Sequence, residues 1–252
     1  MQSAKGSRTM VGTVKRKRST RKSVAKIPVE TRKKIFLVDD HPAFQMGLKA
    51  ILESVEGIVV CGEAANAREA LEGIMGSDAD LVITDISMPG RSGLELIKDL
   101  KSMMPKVRIL VMSMHEDSVY AMRVIQAGGH GYLNKDSSGE EIADAIRRVF
   151  EGQMIFRPEQ LTHRPPNLPE REKSGTVEGV EFLTDRELEV FELLGHGNST
   201  KEVALQLSIS AKTAEAHRTN IRRKLAVKNS AELSHAAYRW VYEGGMNLKR
   251  GS

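Results

Sequence analysis

From residue 34 onward, short uninterrupted apolar runs alternate with longer stretches in which apolar residues return every three or four positions. The runs lie within 34–40, 58–63, 81–84, 108–112 and 131–133. A run with no polar alternation marks a strand covered on both faces, and sheets of that kind are parallel with helices on each side. Between the runs, Phe44, Leu48, Ile51, Leu52 and Val55 form a helical stripe entered through Pro42, where the first turn tolerates proline. Asn66 with Glu69, Ser92 with Glu95 and Ser138 with Glu141 have the spacing that satisfies free amides at a helix entrance. The pattern predicts five strands and five helices: an α/β, flavodoxin-like (βα)5 domain with a five-stranded parallel sheet of order 2-1-3-4-5.

That order sets the first and third strands side by side, and sites on such sheets lie beyond the carboxyl ends of the strands. The first strand ends in Asp39-Asp40 and the third in Asp85, shortly before the Pro89-Gly90 turn. The fourth ends in Ser113, and the fifth is followed by Asn134-Lys135. Three carboxylates in one crevice repel, and they stay ionised only with a cation among them. All-oxygen ligation by few protein groups suits Mg2+, which favours sites that also hold a phosphoryl group. A carboxylate can itself be the nucleophile and form an acyl phosphate, with a lysine as a second point charge. Asp85, Lys135 and Ser113 are the candidates for nucleophile, charge and hydroxyl donor. Singly they read as a turn cap, a surface lysine and a turn serine; at successive strand ends they read as one site.

Periodicity stops from Arg157 to Val180, where Pro158, Pro165, Pro166 and Pro169 stand among charged residues, the composition of a tether rather than a structural element. Beyond it, Thr184 with Glu187 and Ser199 with Glu202 mark helix starts, and Ser210 and Ser230 are candidate N-caps. A small all-α domain of four helices follows, near 185–195, 199–206, 211–225 and 230–242. The second and third are close enough for a helix-turn-helix. On the third, Ala214, His217, Ile221 and Leu225 share one face, with Lys212, Glu215, Ala216, Thr219, Asn220 and Arg223 broadly opposite. An apolar inner stripe with a small, polar and basic outer face is what the major groove of DNA accepts. His217 reads as a packed core histidine. Arg218, Arg222, Arg223 and Lys224 read as phosphate contacts, which position a protein without specifying sequence. On the last helix Tyr238 and Tyr242 share a face, packed in the core or forming a two-fold seam.

Composition narrows the class. A chain of 252 residues suits two domains. No apolar run is long enough to span a bilayer, and the single Cys61 has no internal disulfide partner, so a cytoplasmic, reducing setting without membrane contact is expected. Residues 1–34 hold twelve Lys or Arg and one acid, a charge of +11 against +5 for the whole chain, which leaves −6 for the rest. Residues 1–33 are therefore expected to be a disordered basic tail, solvated or touching phosphates, with Met10 as an alternative start.

Asp39-Asp40-His41-Pro42, Asp85-Ile86-Ser87-Met88-Pro89-Gly90 with Gly93, Ser113 in V-M-S-M-H, and Gly131-Tyr132-Leu133 with Lys135 resemble the receiver domain of a two-component response regulator of the NarL/FixJ type. L-T-D-R-E-L-E-V, G-N-S-T-K-E-V-A and S-I-S-A-K-T-A-E-A-H-R-T-N-I-R-R-K-L resemble a LuxR-type helix-turn-helix domain. The resemblance implies a receiver at 34–155, a linker at 156–180, a DNA-binding domain at 181–246 and a tail at 247–252. It implies that Asp85 accepts a phosphoryl group from a sensor histidine kinase. Asp40, Asp85 and the backbone carbonyl of Ser87 would bind Mg2+, with Asp39 acting through water. Ser113, Tyr132 and Lys135 would bind the phosphoryl group and relay the switch. Candidate contacts to double-stranded DNA are Lys201, Lys212, Thr213, Glu215, Ala216, Arg218, Thr219, Arg222 and Arg223.

Two departures stand out. Asp136 follows Lys135 where many receivers have proline, and Glu215 follows Ala214 where the commonest pattern has a branched apolar residue and a basic one. A glutamate can accept from the cytosine amino group but repels phosphate, so the target sequence does not carry over. The expected function is a non-enzymatic transcriptional regulator switched by phosphorylation, a homodimer when phosphorylated or on two-fold half-sites. The rivals are a metal-dependent phosphatase with an aspartyl intermediate and a regulator that works without phosphorylation.

Overall fold

The apolar runs form β1 (Lys33–Val38), β2 (Ile58–Ala64), β3 (Leu81–Thr84), β4 (Arg108–Ser113) and β5 (Gly131–Asn134), all parallel, in the order β2-β1-β3-β4-β5. This computed structural model describes residues 32–114, 118–161 and 179–242. The basic tail with Met10, most of the expected tether and the tail at 247–252 lie outside the described residues.

Side chains alternate across the sheet, as a strand's period of two requires. Ile35, Leu37, Leu81, Ile83 and Leu110 pack under α1 (Pro42–Glu53) and α5 (Gly139–Phe150). Phe36, Val38, Val82, Ile109 and Val111 pack on the other face, under α2 (Ala67–Met75), α3 (Gly93–Met103) and α4 (Ser118–Ala127). Val38 is level with Thr84, and Thr84 with Val111, so the residues that follow β1 and β3 emerge side by side. Ser92 and Ser138 make reciprocal capping boxes with Glu95 and Glu141, and Asn66 accepts from the Glu69 amide at 3.0 Å.

The first part of the stretch whose composition reads as a tether is helical. Residues Pro158–Leu161 form a short helix, α6, whose Gln160 side chain is buried and accepts from the Arg157 amide at 2.8 Å. Proline supplies the φ of a first helical turn, so the residue that reads as a breaker here starts an element.

A 3-10 turn (Val180–Phe182) leads into α7 (Asp185–Gly195), α8 (Thr200–Gln206), α9 (Ala211–Lys224) and α10 (Ser230–Tyr242). Thr184, Ser199 and Ser210 cap the first three as the spacing predicts. The fourth is capped by Asn229 rather than Ser230, since Asn229 Oδ1 accepts from the Glu232 amide at 2.9 Å. Leu188, Phe191, Ala214, Ile221, Leu233 and Trp240 fill the core of this half. His217 is half-buried, and burial lowers its pKa, as the packed reading requires. Tyr238 and Tyr242 are exposed with ring centroids 4.8 Å apart, so on this helix core packing belongs to Trp240.

The halves touch through α3 and α4 on one side and α7 and α10 on the other. Asp185 takes Lys98 at 2.5 Å and Arg123 at 2.6 Å, and Arg123 also donates to the Leu183 carbonyl at 2.6 Å. Tyr120, fully buried, donates its hydroxyl to Glu192 and sets its ring 6.2 Å from that of Trp240. A single apolar cluster consequently runs from the sheet into the helical domain. Among the described residues, no helix is long and apolar enough to cross a membrane.

Candidate functional site

The loops leaving β1, β3, β4 and β5 bring the expected acidic crevice together. Asp39 and Asp85 are each about 5% exposed or less. The Lys135 ammonium bridges them at 2.7 Å and 2.6 Å. The ring of Phe44 lies under the same ammonium, 4.7 Å away, a cation–π contact that the apolar stripe of α1 did not single out. Asp85 Oδ1 accepts from the Ile86 amide at 2.6 Å and the Ser87 amide at 3.3 Å, which aims Oδ2 into the crevice. Gly93 is needed at the entrance to α3, because a Cβ there would stand 2.0 Å from the Asp85 carbonyl oxygen.

Burial pushes the Asp85 carboxyl above its ordinary range, and Lys135 only partly offsets it while Asp39 adds to the rise. Burial draws Lys135 down, but the Asp85 and Asp39 carboxylates outweigh it and hold the ammonium above its ordinary value. The crevice is thus a buried ion triad that keeps its lysine charged, and burial disfavours the ionised form of Asp85.

The donor set fits a hard divalent cation. Oxygens of Asp39, Asp40 and Asp85, with a ring nitrogen of His41, lie within 4.8 Å of one another. Asp40 Oδ1 is buried without a hydrogen bond; His41 Nδ1 is 2.9 Å away but does not meet it with hydrogen-bond geometry. A buried carboxylate oxygen left in that state is a ready ligand for an oxygen-seeking ion such as Mg2+.

Above the crevice lies a cavity of about 480 Å3, lined by Asp40, Asp85, Ser87, Ser113 and Lys135 from the sheet side. Its opposite wall is α7 and the end of α8, with Glu189, Glu192, Leu193, His196 and Leu207. Of these, Glu189 falls in the L-T-D-R-E-L-E-V motif, and nothing in the sequence placed any of them at the crevice. Ser113 is fully buried, and its carbonyl accepts from the Lys135 amide at 2.8 Å. Tyr132 lies in the core rather than on the cavity wall. It is close enough to Tyr120 to add to the forces, burial first and then Glu192, that push the Tyr120 phenol well above 10. The bond from Lys135 to Asp136 is trans.

On α9, Lys212, Thr213, Glu215, Ala216, Thr219 and Arg223 are exposed, as is Lys201 on α8. Contact with the other half leaves this outer face open. Arg218 and Arg222 are partly buried, each with an Nε that has no hydrogen-bond partner. Arg218 spans the turn to the Thr200 hydroxyl and approaches Glu215 at 3.5 Å, so it braces α8 against α9. Lys224, expected as a phosphate contact, is tied to Glu187 at 2.6 Å and to the Phe182 carbonyl at 3.0 Å.

Residues 35–147 match the response regulator receiver domain family, and residues 181–237 match the family of bacterial regulatory proteins of the luxR type. The chain is 33% identical over 205 residues to the response regulator UvrY of Escherichia coli K12, covering 81% of this chain and 93% of that protein. It is 36% identical over 204 residues to the transcriptional activator protein ExaE of Pseudomonas putida, covering 81% and 94%. Among solved structures, the RcsB response regulator of Salmonella typhimurium superposes with a TM-score of 0.62 at 25% identity, covering 84% of this chain and 98% of that one.

Proposed function

Because the chain belongs to the two-component response regulators that join a receiver to a LuxR-type DNA-binding domain, we propose that Asp85 is the phosphoacceptor that controls its hold on DNA. The observation that carries this reading is the buried triad, in which Lys135 reaches Asp85 Oδ2 at 2.6 Å and Asp39 at 2.7 Å. Asp85 Oδ2 attacks the phosphorus of a sensor kinase's phosphohistidine in line, the P–N bond breaks, and the histidine imidazole is the leaving group. Lys135 exchanges its contact with Asp85 for a phosphoryl oxygen, and the Ser113 hydroxyl takes another. Asp40, Asp85 and the Ser87 carbonyl would hold Mg2+, with Asp39 acting through water, and the ion would supply positive charge to the phosphoryl oxygens.

Buried Tyr120 and Tyr132 couple this event to the joint between the halves, because Tyr120 bonds Glu192 of α7 and touches Trp240 of α10. The exposed face of α9 meets the major groove, and two-fold half-sites are bound by a homodimer. The protein works in the cytoplasm as a regulator, with no sustained turnover of phosphomonoesters. Incubation with phosphoramidate and Mg2+ tests the acceptor: the parent protein takes one phosphoryl group and Asp85→Asn takes none. Equal labelling of the two proteins refutes the assignment.

A further inference from the structure

Glu215 is an acid on the open face of α9, and its neighbours give it a direction. It lies near the amino end of the helix, the part of a recognition helix whose side chains meet base edges. The Thr200 hydroxyl, at the start of α8, donates to Glu215 Oε2 at 3.4 Å, and Arg218 approaches the same oxygen at 3.5 Å. Arg218 also donates to the Thr200 hydroxyl, so the three side chains close a ring across the helix-turn-helix. The Arg218 side chain is 16% exposed and that of Glu215 55%, which makes the guanidinium the anchor and the carboxylate the open end. Both contacts fall on Oε2, leaving Oε1 for a donor from outside.

We propose that Glu215 reads a cytosine in each half-site and that Arg218 is the positioning residue that aims it. The proposal rests on the reading that the outer face of α9 meets the major groove, and adds to it the base that one side chain selects. An ionised carboxylate only accepts hydrogen bonds. In the major groove guanine offers two acceptors, thymine an acceptor and a methyl, and adenine an amino group beside the N7 acceptor. Cytosine alone offers an amino group with no acceptor of its own next to it. Arg218 also answers the objection that an acid repels phosphate, because the pair adds no net charge to the face.

Selection from a randomised duplex library by the full chain, in Mg2+ and phosphoramidate, tests it. The parent is expected to enrich cytosine at one position of each half-site by about fivefold over guanine and thymine, the low end for a single base contact. Glu215→Ala, at an exposed position, loses the preference there and keeps it elsewhere. A carboxylate that only repelled phosphate behaves otherwise: its removal tightens every duplex alike and leaves all base preferences in place. That result overturns the proposal, as does a parent with no position that prefers cytosine. Arg218→Met weakens the same position selectively, whereas an equal loss at every position makes Arg218 a brace and removes its positioning role. Glu215→Ala decides the base by itself if Arg218→Met misfolds. Ala216→Glu, on the same exposed face, judges the docking separately. Loss of most duplex binding keeps α9 in the groove even where Glu215 reads nothing, and unchanged binding breaks the docking reading.

Discussion

Replacing Glu189 by Gln isolates a proton held at the joint between the halves. Glu189 is 6% exposed on α7, accepts from Arg186 at 2.7 Å, and faces Ser92 and Glu95 of the receiver. Burial lifts its carboxyl from 4.5 to about 7, against the pull of Arg186 and Ser92 and with some help from Glu95. An acid whose pKa rises on closure binds its proton more tightly in the closed form. Closure is then unopposed below pH 4.5, weakens by about 1.4 kcal/mol per pH unit from there, and carries the whole cost above about pH 7. The whole cost is about 3 kcal/mol, roughly 300-fold in the balance between joined and parted halves. Arg186, three residues away on the same helix, stays beside the carboxylate when the halves part, so its pull is common to both forms. Glutamine keeps the shape and one acceptor oxygen but does not titrate. Trp240, the single tryptophan, is buried against Tyr120 and Phe191, so parting of the halves opens it to a quencher. Acrylamide quenching of the unphosphorylated parent is expected to rise between pH 5 and pH 7.5 and to stay low in Glu189→Gln. Superimposable pH profiles for the two proteins refute the reasoning.

Two further outcomes follow from the packing. Gly93→Ala forces a methyl against the Asp85 carbonyl oxygen, a backbone atom only 2.0 Å away, and should cost about 3 kcal/mol or more in urea denaturation; an unchanged midpoint contradicts it. Arg223→Ala, at an exposed position of α9, should reduce the salt dependence of binding to a mixed-sequence duplex by about one unit of log–log slope. Lys224→Met should leave that slope alone and lower the melting temperature, because its partners are Glu187 and the Phe182 carbonyl; the opposite pattern sinks the distinction.

Local chemistry made much of this molecule legible. The strands end where apolar runs meet Asp39, Asp85 and Ser113, and four helices open on serine or threonine with glutamate three residues on. Parallel order then brings the carboxylates and Lys135 together, because one level of the sheet holds the ends of neighbouring strands. Pro158 and Ser230 depart from the sequence reading for one cause: their type allows two roles, and only their neighbours choose between them.

By itself, then, the sequence determined the elements, the topology and the acidic crevice, since periodicity, caps and strand ends are properties of short stretches of chain. Tertiary structure alone decided that Tyr120 meets Glu192 and Trp240, that Asp185 gathers Lys98 and Arg123, and that α7 closes a chamber over Asp85. Periodicity tells which face of a helix is apolar, but the partner that covers it is chosen by shape and charge brought together from distant parts of the chain.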